Sequence, residues 1–330
     1  MDVPVLVEVT RGPEVESRHR GEMVVVDGTG NLRHHLGDPE SLVCMRSLAK
    51  PFQALPLLTT GAAAAFGFGP EELALFCGSL SGQDFQVKLV EGILARIGLT
   101  AQALHCGSHP PLHRPSAQAL VQAGEKPTAL HHTCAGKHAA MLALCVHQEF
   151  PLEDYLNPEH PVQRLIVDAV AKMVGLPPER IPVAVDGCGA PVFYVPLKHI
   201  ALGFARLAGA ATGSPAAVLR DACLANPRHI AGDGRLETVI MEALPGRIVA
   251  KTGAEGGFAL ALVKEGLGVA VKIEDGSSRP LNPTIVHLLE ELELLTPEAQ
   301  EALAPYHQPP ILNHRQQEVG RIKAVFSLTG

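Results

Sequence analysis

The chain has 330 residues, and its 27 Lys and Arg against 34 Asp and Glu give a formal net charge of -7. This acidic balance makes nucleic acids and anionic membranes poor partners. Aromatic residues make up only 4% of the chain and tryptophan is absent, so a stacking platform for bases or sugars is not expected. The composition leaves an enzyme or binding protein for a small polar molecule.

The amino-terminal segment and the cysteines predict a cytoplasmic location. Acidic residues at positions 2 and 8 interrupt the segment where a signal peptide would be basic and then apolar. The apolar runs are much shorter than the roughly 20 residues that a bilayer-spanning helix needs. The 7 cysteines are widely spaced and include no C-x-x-C pair, which fits a reducing compartment better than a disulfide framework.

The order of predicted elements places strands at both ends of the chain. Runs of β-branched residues predict strands at 5–9 and 23–26, with a turn at 27–31. Ala- and Leu-rich segments then predict helices at 71–76, 87–97, 138–145 and 161–174. Strands return at 247–251, 257–263 and 269–273, and a helix at 284–303 precedes a last strand at 319–326. This order predicts the α+β class.

Two termini rich in strands imply one antiparallel sheet assembled from both ends of the chain. We expect a sheet lobe with flanking helices from residues 1–46 and 246–330. The intervening residues 47–245 are expected to form an inserted, mainly helical lobe, so that the domains are discontinuous and closely packed.

A serine and a lysine stand three residues apart where the predicted sheet gives way to helix. Ser47 and Lys50 would share one helix face, so we expect the Lys50 amine to reach the Ser47 hydroxyl. Lysine can take a serine proton only when neutral, and burial or a nearby cation lowers its pKa. Lys251, in the K-T-G sequence at 251–253, is such a cation, and S-x-x-K followed by K-T-G marks active-site-serine acylases. The alternative is that Ser47 caps a helix and Lys50 is solvated.

The S-D-N sequence that usually accompanies these two motifs is absent. In its place, Ser79 lies in a glycine-bounded turn at 77–83. Its hydroxyl could lie beside Lys251, or Ser79 could be an ordinary turn residue.

A second group of residues surrounds two cysteines. Cys134 and Lys137 open a predicted helix, and Asp186 and Cys188 lie on a glycine-rich turn. Two thiolates could hold zinc, although the sequence alone assigns no complete ligand set, and isolated cysteines are usually small core side chains. His138 could support such a site or be a buried imidazole. No dinucleotide, P-loop or H-E-x-x-H motif is present.

Taken together, these motifs resemble the thermolabile L-asparaginases of the Rhizobium type, the asparaginase II family. The resemblance runs from about Pro4 to Phe326 and is carried by residues 46–56, 79, 81–82, 106–107, 109–111, 134, 136–139, 186–191, 251–256 and 272–276. Ser108 and Ala135 depart from the family pattern. It implies a serine β-lactamase-like fold, usually as a homodimer, with two Ser-Lys tandems in one pocket.

The resemblance also implies roles for individual residues. The implied catalytic residues are Ser47 with Lys50 and Ser79 with Lys251. The implied zinc ligands are Cys134, Lys137 and Cys188, and the expected substrate-binding residues are Arg46, His138, Asp186 and Glu255.

The expected reaction is hydrolysis of L-asparagine to L-aspartate and ammonia. Lys50 would deprotonate Ser47, which forms a β-aspartyl ester, while Ser79 and Lys251 relay protons. The alternatives are a glutaminase or a penicillin-recognising acylase on the same scaffold, or an amino-acid-binding protein without catalytic activity.

Overall fold

A computed structural model describes residues 3–328 of the chain. Its strands are β1 Val5–Arg11, β2 Glu14–Asp27, β3 Leu32–Leu36, β4 Leu42–Cys44, β5 Val183–Val185, β6 Pro191–Pro196, β7 Ile248–Gly253, β8 Gly257–Leu262, β9 Leu267–Ile273, β10 Pro310–Leu312 and β11 Glu318–Ala324. Its helices are α1 Lys50–Gln53, α2 Leu55–Thr59, α3 Ala62–Ala65, α4 Pro70–Cys77, α5 Asp84–Arg96, α6 Arg114–Ala123, α7 Ala135–His147, α8 Pro161–Val174, α9 Leu197–Ala208, α10 Pro215–Ala225, α11 Pro227–Ala231, α12 Leu236–Ala243, α13 Leu281–Glu291 and α14 Pro297–His307. No helix within residues 3–328 is both long and apolar enough to cross a bilayer.

The main sheet takes its strands from both ends of the chain, as the sequence predicts. Its order is β10, β11, β1, β2, β9, β8, β7, and β3 pairs with β2. β1 lies antiparallel to β11, with Val7 opposite Ala324, and β2 lies antiparallel to β9, with Met23 opposite Val271. The α+β class and the antiparallel sheet built from both termini are therefore confirmed.

The chain groups into two compact units. The first contains the residues up to Val43, the segment Pro196–Gly209 and the residues from Val239 onward; the second contains Cys44–Val195 and Ala210–Thr238. The domain limits expected from the sequence stay a prediction.

In the first unit, α9 packs on β2, β8 and β9, although it lies in the segment expected to form the helical lobe. The contact depends on Gly268 of β9, because any side chain there would collide with the backbone of Ala201 and Ala205 in α9.

The single helix predicted at 284–303 is wrong, because the structure has α13 and α14 there. Glu293 adopts a left-handed conformation with φ 54°, which ends the regular helix after α13. Thr296 then caps α14, since its Oγ1 accepts a hydrogen bond from the Ala299 amide at 3.2 Å, and Pro297 occupies the first helical position. The helical spacing of apolar residues continues from α13 into α14, so this pattern does not reveal that the backbone turns between the two helices.

In the second unit, most of α7 is buried, because its residues from 135 to 145 are all nearly inaccessible to solvent. Gly136 brings the start of α7 against α4, because an added Cβ would lie 2.8 Å from the Leu75 carbonyl oxygen. Gly78 brings the end of α4 against α11, because an added Cβ would lie 2.6 Å from the His229 carbonyl oxygen. These two close approaches position the turn that carries Ser79 beside the start of α7.

Candidate active site

The Lys50 amine lies in the interior of the second unit and is held by two oxygen atoms. Lys50 is only 1% exposed. Its Nζ donates hydrogen bonds to Ser79 Oγ at 3.1 Å and to the Thr133 carbonyl oxygen at 3.0 Å. A buried ammonium must find acceptors, and two separate turns supply them.

The Lys50 backbone amide donates a hydrogen bond to the Ser47 carbonyl oxygen. In the described part of the chain, however, the Lys50 amine bonds to Ser79 and Thr133 and not to the Ser47 hydroxyl, so the expected side-chain hydrogen bond is not formed. Ser47 belongs to the 3-10 turn Arg46–Ala49, where Met45 is the N-cap residue and no side chain caps the turn. The alternative interpretation of Ser47 as a helix cap therefore fails as well. The three-residue spacing places the backbones of Ser47 and Lys50 close together. The side chain of Lys50 nevertheless points to the two acceptors that bind its amine, Ser79 Oγ and the Thr133 carbonyl oxygen.

Backbone hydrogen bonds fix the position of Ser79. Its amide donates to the Ile230 carbonyl oxygen at 2.6 Å, and the amide of Leu80 donates to the Thr133 carbonyl oxygen at 3.0 Å. One carbonyl, that of Thr133, thus binds both the Ser79 turn and the Lys50 amine. These main-chain contacts hold the Ser79 hydroxyl against the Lys50 amine.

The pKa of Lys50 is lowered, mainly because burial disfavours the charged ammonium. The ammonium of Lys137 lowers it further, while Cys134 and Cys188 act in the opposite direction. A lowered pKa raises the fraction of neutral amine near neutral pH, and only the neutral amine can accept a proton from a hydroxyl.

The carboxylate of Asp186 lies between two cations, Arg46 and Lys137. Asp186 Oδ1 accepts a hydrogen bond from Arg46 Nε at 2.7 Å, and Asp186 Oδ2 lies 3.6 Å from Lys137 Nζ. Burial would raise the pKa of Asp186, but Lys137, the Gly187 amide and Arg46 hold it below its ordinary value. Arg46 adopts a left-handed conformation with φ 45°, a strained state for a non-glycine residue. Two residues expected to bind substrate, Arg46 and Asp186, therefore bind each other.

The thiol cluster, defined as Cys134, Lys137, Asp186 and Cys188, brings together the residues expected at a zinc site. The two sulfur atoms and a carboxylate oxygen of Asp186 all lie within 4.8 Å of one another. A hydrogen bond from Cys188, with the nearby charges of Lys50 and Lys137, holds the pKa of Cys134 well below its usual value despite burial. Cys134 is therefore the more acidic of the two thiols.

This donor set fits zinc. Two cysteine sulfurs and a nitrogen or carboxylate oxygen are common zinc ligands, and the sulfurs are close enough to share one ion. Burial disfavours the charge of Lys137, but Cys134, Cys188 and Asp186 together raise its pKa. With no metal present, Lys137 is the cation that balances the cluster, so it would have to lose a proton to become a ligand.

His138 lies beside the thiol cluster as a neutral imidazole, because burial and the charge of Lys137 lower its pKa well below the ordinary value. Its Nδ1 lies 2.7 Å from the Tyr155 hydroxyl, which also accepts a hydrogen bond from the His105 amide. Among residues 3–328, no polar group forms a hydrogen bond with the buried His138 Nε2.

The two remaining expected site residues lie in the first unit. Lys251, on β7, is 1% exposed and donates to the Thr252 carbonyl oxygen at 2.8 Å. Glu255 is exposed in the turn before β8 and has φ 60°. The Ser79–Lys251 tandem and the substrate-binding role of Glu255 stay predictions.

Sequence reasoning missed three contributors to the site. The Thr133 carbonyl binds Lys50, the Tyr155 hydroxyl orients His138, and His109 Nε2 accepts a hydrogen bond from the Thr133 amide at 3.0 Å. A backbone carbonyl has no residue-type signature, so no motif identifies Thr133. His109 precedes two prolines in a rigid segment, which was the available signal.

Comparison with known proteins decides the family. The sequence profile of the L-asparaginase II family matches residues 7–324, nearly the whole chain. The chain belongs to the L-asparaginase II family. The family resemblance seen in the sequence is therefore confirmed.

A search of curated proteins gives no match. Among solved structures, the chain is similar to Mglu in its Tris and glutamate form, with 18% identity over 89% of this chain and 64% of that chain and a TM-score of 0.49. It is also similar to a β-lactamase from Mycobacterium bovis, with 14% identity over 87% of this chain and 95% of that chain and a TM-score of 0.41. The chain thus spans less than two thirds of the length of Mglu. Both TM-scores lie below 0.5, so the assignment rests on the family match.

Proposed function

We propose that this asparaginase II family member hydrolyses the side-chain amide of L-asparagine to L-aspartate and ammonia through an ester on a serine. The observation that carries the proposal is the 3.1 Å contact between Lys50 Nζ and Ser79 Oγ in a buried environment. A hydroxyl becomes a useful nucleophile when a neighbouring base takes its proton. The lowered pKa of Lys50 increases the fraction of its amine that is neutral and can act as that base.

In the proposed reaction, neutral Lys50 accepts the proton of a serine hydroxyl as its oxygen bonds to the carboxamide carbon. The resulting ammonium donates a proton to the leaving nitrogen, the C–N bond breaks, and ammonia departs. Water, activated by the lysine that is neutral again, then attacks the ester and releases aspartate. Preorganised hydrogen-bond donors at the developing oxyanion would contribute several kcal/mol.

Two serines compete for the role of nucleophile. The contact with Lys50 favours Ser79, whereas the S-x-x-K motif favours Ser47. In either case Ser47, Lys50, Ser79 and Lys251 remain the proposed catalytic residues. Arg46, His138, Asp186 and Glu255 remain the proposed substrate-binding residues.

Zinc is part of the proposal as an accessory ion. Cys134, Lys137 and Cys188 would hold it, and its positive charge would support the binding of the substrate rather than activate the nucleophile. A homodimer and a cytoplasmic location also stay predictions.

The test is trapping of the acyl-enzyme. Enzyme quenched with acid during turnover of asparagine should carry a β-aspartyl adduct on Ser79 or Ser47, located by peptide mass spectrometry. Ser79→Ala and Ser47→Ala are the paired variants, and the one that removes the adduct identifies the nucleophile. Release of ammonia from glutamine alone, or turnover of nitrocefin, would reassign the substrate. Binding of asparagine without ammonia or adduct would establish a binding protein and overturn the proposal.

A further inference from the structure

A second cluster of possible metal ligands lies in the first unit. It consists of His287 and Glu290 on α13 and His307 on α14, and we call it the histidine cluster. Glu290 Oε2 lies 3.5 Å from His287 Nδ1 and 2.9 Å from His307 Nε2. One donor atom from each of the three residues lies within 4.8 Å of the others.

We propose that the histidine cluster binds a divalent transition-metal ion of the Zn²⁺ class. Zinc bonds of about 2.0–2.1 Å place tetrahedral ligands about 3.4 Å apart. The distances at Glu290 bracket that value, so small side-chain rotations would admit the ion. Two imidazole nitrogens and one carboxylate oxygen form a ligand set that zinc and its neighbours in the periodic table accept.

The orientation of His287 supports this proposal independently of the distances. Its Nε2 lies 2.9 Å from the Phe326 carbonyl oxygen, which can only accept, so Nε2 carries the ring proton. In the neutral ring, the Nδ1 lone pair then faces the Glu290 carboxylate. Two acceptors then face each other at 3.5 Å, and a cation between them would remove their repulsion.

A hydrogen bond from the far ring nitrogen to a backbone carbonyl is the usual support of a metal-binding histidine. It fixes both the tautomer and the ring orientation. The Phe326 ring adds an edge contact to His287, with centroids 4.8 Å apart. Glu291 completes the support, because its Oε2 accepts hydrogen bonds from the Leu328 amide at 2.9 Å and the Ser327 hydroxyl at 3.1 Å.

The cluster is accessible to an ion from solution. The side chains of His287, Glu290 and His307 are 22%, 32% and 26% exposed. Water can therefore complete the coordination sphere. The ion would join α13 to α14, and through Phe326 and Glu291 it would hold residues 326–328 in place, which is a structural role.

The site differs in chemistry from the thiol cluster, and that difference makes it testable. Bound to Co²⁺, the thiol cluster should give sulfur-to-metal charge-transfer absorption in the near ultraviolet, whereas a site of nitrogen and oxygen ligands gives only weaker visible bands. Co²⁺ and Zn²⁺ alone are the probes, added to the full chain after treatment with a chelator.

The key variant is His307→Gln, because glutamine can keep a hydrogen bond to Glu290 but is a poor ligand. The matched control is His314→Gln, at an exposed histidine in the turn between β10 and β11. We expect the control to bind Zn²⁺ like the original chain by calorimetry. His307→Gln should lose one equivalent of bound ion, or bind it more than about tenfold more weakly. The thiolate absorption of Co²⁺ should be unchanged.

Thermal unfolding provides the second readout. Zn²⁺ binds the folded chain and should raise its unfolding midpoint, and this rise should shrink in His307→Gln but persist in His314→Gln. If His307→Gln does not fold, Glu290→Gln takes its place. Equal Zn²⁺ stoichiometry and affinity in the variant and the control, with Co²⁺ bound only at thiolates, would overturn the proposal and leave a protonated His287 as the cation.

Discussion

The thiol cluster and the histidine cluster place similar groups in opposite surroundings. In the thiol cluster, the side chains of Lys137 and Asp186 are 4% and 7% exposed, and positive and negative groups compensate each other inside the protein. The side chains of the histidine cluster are 22% to 32% exposed, and His287 lies in hydrogen-bond distance of one backbone carbonyl. Burial strengthens every charge interaction and penalises every unpaired charge. The buried cluster can therefore change pKa values, while the exposed one can exchange ions with solution.

The largest effect should follow from removing the buried amine. Lys50→Met keeps most of the side-chain volume but removes the base, so ammonia release from asparagine should fall by about 10²–10⁴-fold. Lys88→Met is the control, because Lys88 is exposed and forms only a surface pair with Asp84. Activity of Lys50→Met close to that of the control would show that Lys50 is not the base.

The contrast in burial predicts unequal costs for neutralising one carboxylate in each cluster. Asp186→Asn leaves Lys137 buried without its carboxylate, so we expect a loss of about 3 kcal/mol in the free energy of unfolding. Glu290→Gln, measured with a chelator so that both clusters are free of metal, should cost below about 1 kcal/mol because water screens the charges. Urea unfolding measures both. Equal losses would remove burial as the explanation of the difference.

The smallest effect is a shift along the pH axis. Burial lowers the pKa of Lys50, so the neutral, proton-accepting form becomes populated below the ordinary lysine value of about 10.4. The fraction of neutral amine increases with pH, and kcat/KM should therefore rise through the lowered pKa and level off before that value. A chelator should not change this rise of kcat/KM with pH, because the rise reports the deprotonation of Lys50 and not that of a metal ligand. A rate that falls across the same range would contradict the assignment.

Local sequence patterns were sufficient to predict those elements whose conformation depends on residues adjacent in the chain. β-branched runs identified β1, β2 and β7 to β9, and strands at both ends predicted the sheet formed by both termini. The break between α13 and α14 was also readable locally, because Thr296 followed by Pro297 is a helix-start signal. Apolar periodicity across the break concealed it.

The sequence by itself determined the class of fold, the family and the residue types of the candidate site. Only the tertiary structure decided that the Lys50 amine binds the Ser79 hydroxyl rather than that of Ser47. The same holds for the position of His307 beside the Glu290 carboxylate. The physical reason is the range of the interactions. Hydrophobic periodicity repeats within a few residues, whereas a buried amine binds whichever acceptors the packing brings to it, here a hydroxyl and a carbonyl from distant turns.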